Sequence, residues 1–167
     1  RSARARNKEV PAAGIPAVFV REWAAWAPGL GEIPLDGTPD VGFIAPMMAR
    51  RMSRLNRMAL HTADACCRQA GVPADSVRLV VASRHGDMSV MVRLLTAISE
   101  NDTLSPADFT NSVHHTAAGF WGLVAKNREA SRSIAGGAAS FCCGFLDAAG
   151  MLKHDPARPV MLVAVED

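Results

Sequence analysis

Apolar residues along this chain fall into short blocks whose spacing alternates between strand and helix. Ala17 to Trp23 carries β-branched and aromatic residues after Pro16 and predicts a first strand. Pro28 to Pro46 is rich in Pro and Gly and predicts a surface loop with short turns. From Leu55 to Ala70, positions 55, 58, 59, 62 and 66 are apolar or small, which is helical spacing, and Gly71 is a natural stop. Leu79 to Ala82 is a short, unalternating apolar run, as expected of a strand covered on both faces. Asp87 can cap a helix whose apolar stripe is Met91, Leu94, Leu95 and Ile98. A loop over Asn101 to Phe109 then leads to a helix at Thr116 to Lys126. A strand at Ser131 to Ala135, a helix at Ala139 to Leu152 and a strand at Val160 to Val165 complete the order. Strands alternating with helices imply parallel connections, hence a layered α/β fold with mostly apolar central strands.

The helix Ala139 to Leu152 stands apart. It is apolar or small on nearly every side, with Asp147 its one charge, and a helix without a polar face is expected to be buried all round. Before it, Gly136, Gly137, Ala138 and Ala139 allow a sharp turn that brings the helix N-terminus close to whatever binds above. A thiol at that turn would be activated by the exposed N–H groups. Ala138 stands there instead and can do no covalent chemistry.

Composition changes this picture little. The 167 residues, 49% hydrophobic and 20% charged, suit one folded domain with a real core. The formal charge of +2 owes its sign to Arg1, Arg4, Arg6 and Lys8. Residues 1–16 are expected to form a flexible basic leader and residues 17–167 the domain. No basic surface interleaved with aromatics and no reading motif points to nucleic acid. No apolar run is long enough to span a bilayer and no signal sequence is evident, so a cytoplasmic protein is expected. The cysteines come as adjacent pairs, Cys66-Cys67 and Cys142-Cys143. Neighbours on a helix diverge, so neither pair suits a disulfide or a zinc site, and no metal or cofactor is expected.

Other groups leave alternatives open. Cys142 lies one helical turn beyond Ala138, in apolar surroundings that would raise a thiol's pKa. Ser133 and Ser140 lack a G-x-S-x-G context and a visible base. His114 and His115 precede a helix and suit a turn or capping role. His61 reads as a surface residue near Asp64, and His154 follows a helix end, where positive charge is favoured. The turn Ser83 to Asp87 follows a strand end, where α/β folds place binding groups. Arg50, Arg51, Arg54 and Arg57 form a basic cluster at a helix start; a solvated face and a docking patch for an acidic partner both fit.

The segment "SRSIAGGAASFCCGF" (Ser131 to Phe145) resembles the active-site strand and buried helix of β-ketoacyl synthases in the thiolase superfamily, without their reactive Cys. "SPADFTNSVHHTAAGFW" (Ser105 to Trp121) resembles the loop and helix that precede that strand. "RRMSRLNRMALHTADACCRQAG" (Arg50 to Gly71) is similar to the first long helix with its Arg-rich lead-in. "AAWAPG" (Ala24 to Gly29), "ASRHGD" (Ala82 to Asp87) and "NSVH" (Asn111 to His114) are most similar to Cys-less chain-length factors, notably of aryl-polyene pathways. An Asn usually stands in place of His115, which is a departure.

The resemblance implies a thiolase-like layered fold, of which the N-terminal half of a ketosynthase is present. The second half, with the family's two catalytic His residues, is not recognisable. Cover for the apolar helix is therefore expected from further residues, a partner or self-association. It further implies a heterodimer with an active ketosynthase, across which the strand from Ser131 would pair. Together they would extend a polyene, polyketide or fatty-acid-like chain on acyl carrier protein. Ala138 would hold the nucleophile-equivalent position. His85, Phe109, Phe120, Trp121 and Ser133 would line the acyl tunnel or the interface, plain core fitting Phe120 and Trp121 equally, and Arg50, Arg51 and Arg54 would dock the carrier protein. The alternatives are an active acyltransferase or condensing enzyme using Cys142, and a stand-alone fragment that binds acyl chains or carrier protein.

Overall fold

A computed structural model describes residues 17–167; the expected basic leader lies outside the described residues. The elements are α1 (Pro46–Ala49), α2 (Arg54–Ala70), β1 (Arg78–Ala82), α3 (Met88–Ser99), α4 (Pro106–Asn111), α5 (Thr116–Val124), β2 (Ser131–Ile134), α6 (Ser140–His154) and β3 (Val160–Ala164). The three strands form one parallel sheet in the order β2-β1-β3. Leu79 pairs with Ser131 on one side of β1, and Arg78 pairs with Val160 on the other. The two crossovers travel in opposite directions across the sheet, so a shared right hand sends their helices to opposite faces.

One face is the larger core. Leu79, Val81, Met161 and Val163 pack there against Leu55, Ala59 and Ala63 of α2 and Ala117, Ala118 and Trp121 of α5. The other face is smaller: Val80, fully buried, sits under Ala148 and Met151 of α6. β1 is buried at every position because helices cover it above and below while strands flank it on both edges.

Local signals explain most boundaries. Ser53 caps α2 by accepting from Asn56 N, and Gly71 ends it in the left-handed conformation at φ 62°. Asp87 caps α3 through Val90 N at 3.0 Å. Ser105 caps α4, which turns part of the expected loop into helix and carries Phe109 on it. A bidentate pair, Arg93 to Asp108 at 2.8 and 3.2 Å, clamps α3 to α4. That guanidinium holds the Asp108 carboxyl below its usual range.

Two expectations are corrected. Residues 17–26 form no strand: they bond to no β-strand among the described residues, and Phe19 is 86% exposed. β-branched and aromatic composition favours a strand only where a neighbouring edge supplies the ladder. The α3 stripe is mostly outside. Val90 and Leu94 are buried, whereas Met91, Leu95 and Ile98 are exposed, because α3 rests on its neighbours along one narrow line. The α6 helix, whose full cover was expected to come from elsewhere, is buried on one face within this chain. Ser140, Gly144, Ala148 and Met151 are buried, while Phe141 and Phe145 stack on each other in the open and Leu146 is 70% exposed. The outer side of α6, the edge of β3 and residues 18–26 enclose an apolar groove of about 520 Å³, into which Phe19, Trp23, Phe141, Phe145 and Leu162 project.

Candidate functional site

The C-terminal ends of the three parallel strands converge, and there the backbone must turn into a loop or helix with polar groups free. After β1, Ser83 is buried and its Oγ accepts from Gly86 N at 3.0 Å, closing the turn to Asp87. Gly86 takes φ 66°, which disfavours a side chain there. His114 donates from Nε2 to Ser83 O at 3.0 Å and fixes the same turn from below. After β3, Glu166 accepts from Arg84 N at 2.5 Å and faces the Ser83 hydroxyl at 3.4 Å. His85 is left exposed at the tip of this turn.

After β2 comes the elbow. Gly137 adopts φ 58°, and Gly137–Ala139 form a single tight turn that runs straight into α6. Ser140 closes it: its Oγ donates to Gly137 O at 2.7 Å and accepts from Gly136 N at 3.0 Å. A Cβ on Gly136 would come within 2.8 Å of Cys143 Sγ, so the backbone there passes directly over α6. Ala138 is exposed at the head of this turn. The elbow thus presents a methyl group where N–H groups of a helix head would activate a thiol or receive an anion.

The sequence-predicted residues do not all gather here. Ser133, half-buried on β2, is bonded to His115 at 2.8 Å. Phe109 is 65% exposed on α4, and Phe120 is half-buried against the larger core. Trp121, for which plain core was the open alternative, is 2% exposed and fills the core between α5 and α2. Aromatic side chains on a short apolar helix are drawn to the sheet first. Arg50, Arg51 and Arg54 lie on the surface, Arg54 standing 6.0 Å from the Trp26 ring centroid. Arg57 is turned inward instead, donating to Ala49 O at 2.8 Å. His61 bonds Asp40 O through Nδ1 at 2.8 Å and meets Trp26 edge-on, so it pins the preceding loop. His115 occupies the α5 N-cap position without capping it, because its ring is held by β2. His154 is exposed in the last turn of α6.

All four cysteines are free. Cys142 is exposed rather than set in apolar surroundings, because α6 turns that position away from the sheet. Burial on α2, with Cys66 and Asp64 adding to it, pushes the Cys67 thiol up to about 11. At pH 8, iodoacetamide is therefore expected to modify Cys142 and leave Cys67 intact, as peptide mapping would show. At pH 7 the Cys142 rate should match that of an ordinary thiol; rapid stoichiometric labelling would instead mark a catalytic cysteine. No group of three or more ligating side chains suited to a metal occurs among the described residues, and none of their helices is long and apolar enough to cross a membrane.

Two features escaped the sequence reading. Asn56 and Asn111 are both buried and joined by Nδ2 to Oδ1 at 2.9 Å, and Asn111 also donates to Arg51 O and Ala107 O. This bridge locks the head of α2 to α4. The other is Arg78, buried in β1, whose guanidinium donates to Met151 O at 3.0 Å, Asp155 O at 2.8 Å and Arg158 O. Its signal was visible: one Arg opening an apolar strand.

Residues 23–167 match the family described as Beta-ketoacyl synthase, N-terminal domain. No curated protein matches the chain. Among solved structures, it is similar to a ketosynthase (ApeO) in complex with its chain length factor (ApeC) from Xenorhabdus doucetiae. The identity is 27% and the TM-score 0.64, over 74% of this chain and 50% of the matched one. The chain thus spans half the length of that relative.

Proposed function

Since this chain belongs to the β-ketoacyl synthase family, with a thiolase-like layered fold, we propose that it is a non-catalytic subunit of chain-length-factor type. The observation that carries this is Ala138: the strand-to-helix turn is formed, and a methyl group stands at its head where a nucleophile would be expected. A cysteine-bearing ketosynthase would perform the decarboxylative condensation, and this chain would shape the space in which a polyene or polyketide chain grows on acyl carrier protein. His85, Phe109, Phe120 and Ser133 are the residues proposed to meet the partner or the acyl chain. Arg50, Arg51 and Arg54, exposed and close together in sequence, are proposed to attract the acidic carrier protein.

The pairing edge supports the reading. Leu79 N donates to Ala130 O and Ser83 N donates to Ile134 O, so β2 directs Ala130, Arg132 and Ile134 toward β1. The backbone groups of Ser131, Ser133 and Ala135 point to the open edge, where another strand can add. The exposed apolar residues of α3, with Phe109 and Val113, are further surface of the kind a partner covers.

Co-expression with an intact ketosynthase, followed by gel filtration, is the test. Co-migration is expected, and separate elution would remove the heterodimer. Ser131→Pro takes away one outward N–H at the first position of an edge strand, where proline is tolerated. It should preserve the far-ultraviolet circular dichroism and weaken co-migration at least tenfold.

A further inference from the structure

The four arginines around the start of α2 do not share one role. Arg50 and Arg51 face solvent, whereas Arg54 and Arg57 line a cavity of about 230 Å³ between the head of α2 and the loop 36–39. Each of these two guanidinium groups is held in advance. Arg54 stands over the Trp26 ring, which His61 supports edge-on. Half-buried Arg57 donates from Nη2 to Ala49 O at 2.8 Å, while its Nε has no partner among the described residues. None of the four arginines makes an ion pair among the described residues. Two fixed planar groups with donors to spare suit an oxyanion that offers several acceptor oxygens.

Size and charge narrow the ligand. The cavity is smaller than the roughly 300–1,000 Å³ of sites that enclose a whole small molecule, so it fits one charged group of a longer ligand. Thr38 adds a hydroxyl, and Asp36 adds one negative charge to the two positive ones. The balance is a single positive charge, the complement of a monoanion. A phosphodiester carries one negative charge, whereas a phosphate monoester carries about 1.5 to 2 at neutral pH. The position is also suitable. Asn56, near the head of α2, bonds Asn111, and His114 bonds Ser83 at the end of β1, so the cavity lies toward the end of the sheet that carries the Ala138 elbow.

We propose that Arg54 and Arg57 bind a phosphodiester, namely the one that joins an acyl carrier protein to its pantetheine arm. This rests on the carrier-docking reading above and deepens it. Arg50 and Arg51 attract the acidic surface of the carrier, and the cavity recognises the point where the arm is attached. Arg57, which faces inward, thereby gains a role that surface charge alone does not give it.

The test titrates the full chain, by calorimetry, with one acyl carrier protein in its apo and holo forms, which differ only by the arm. The holo form is expected to bind at least about fivefold tighter. Arg57→Gln should bring that ratio to about one and leave apo affinity unchanged, whereas Arg50→Glu should weaken both forms alike. Arg54→Gln, at an exposed position, should weaken both forms and lower the ratio. Circular dichroism checks that each variant is folded. Small probes address the cavity without a carrier. At pH 8, dimethyl phosphate should shift the amide resonances of Gly37 and Thr38 at lower concentration than inorganic phosphate does. Arg57→Gln should abolish the shifts, and Asp36→Asn should remove the preference for the diester. Equal holo and apo affinities, or a ratio that Arg57→Gln leaves intact, would overturn the proposal. Failure of both carrier forms to bind would sink the carrier reading instead, and the dimethyl phosphate shifts would then decide the cavity by themselves.

Discussion

Replacing Arg78 by methionine is expected to lower the free energy of unfolding by about 3 kcal/mol. The side chain opens the central strand, is almost wholly buried, and spends its guanidinium on carbonyls of Met151, Asp155 and Arg158. These belong to the last turn of α6, where the dipole is negative and Met151 O also accepts from Asp155 N, and to the loop that follows. Methionine keeps much of the volume and removes every side-chain donor, so the Asp155 and Arg158 carbonyls lose the guanidinium while Met151 O keeps its bond from Asp155 N at 3.1 Å. Arg78→Lys retains the charge but not the planar fork, so an intermediate loss is expected. Urea denaturation followed by circular dichroism measures both. A loss below about 1 kcal/mol for Arg78→Met would mean that water replaces the guanidinium at those carbonyls.

The second large effect belongs to Gly144, the point where α6 touches the sheet. A Cβ there would stand 2.8 Å from Ala82 Cβ and 2.9 Å from Leu162 Cδ1. The Ala82 Cβ cannot retreat, because it is fixed on the central strand, whereas Leu162 Cδ1 ends a flexible side chain beside the groove. Gly144→Val should therefore cost about 3 kcal/mol, the upper part of the usual range for overpacking. The helix must lift or tilt to admit the side chain, which carries the elbow at Ala138 with it. Gly150 lies on the same helix with open space where its Cβ would be. Gly150→Ala is expected to stabilise by about 0.5–1 kcal/mol through helix propensity alone. Thermal melts of the two variants should move in opposite directions. A Gly144→Val melt near that of the parent protein would show that α6 is not held against the strands as described.

The groove beside α6 and the bare face of α3 share an origin. Each is an apolar surface that the described residues cover on one side only, although its composition matches a covered element. Amphipathic patterning reports whether a surface wants cover; it is silent on which chain supplies it. This is why Met91, Leu95 and Ile98 were expected to face inward.

The alternation of the main helices and strands from Leu55 onward, the cap at Asp87, the stop at Gly71 and the doubly covered β1 were legible in the residues themselves, because each depends on neighbours within about one turn or on a contiguous apolar run. The small residues of the turn, with Ala138 at its head, were legible for the same reason, being local in the chain. Tertiary structure alone decided that residues 17–26 find no strand partner, that Trp121 fills the core, and that Cys142 faces outward. It also placed His115 on Ser133, Arg78 on the α6 terminus and Asn56 on Asn111. These are contacts between groups distant in sequence, formed only after two helices and a sheet have packed. Periodicity along the chain reports which face turns inward, and it carries no information about which polar atoms then meet there.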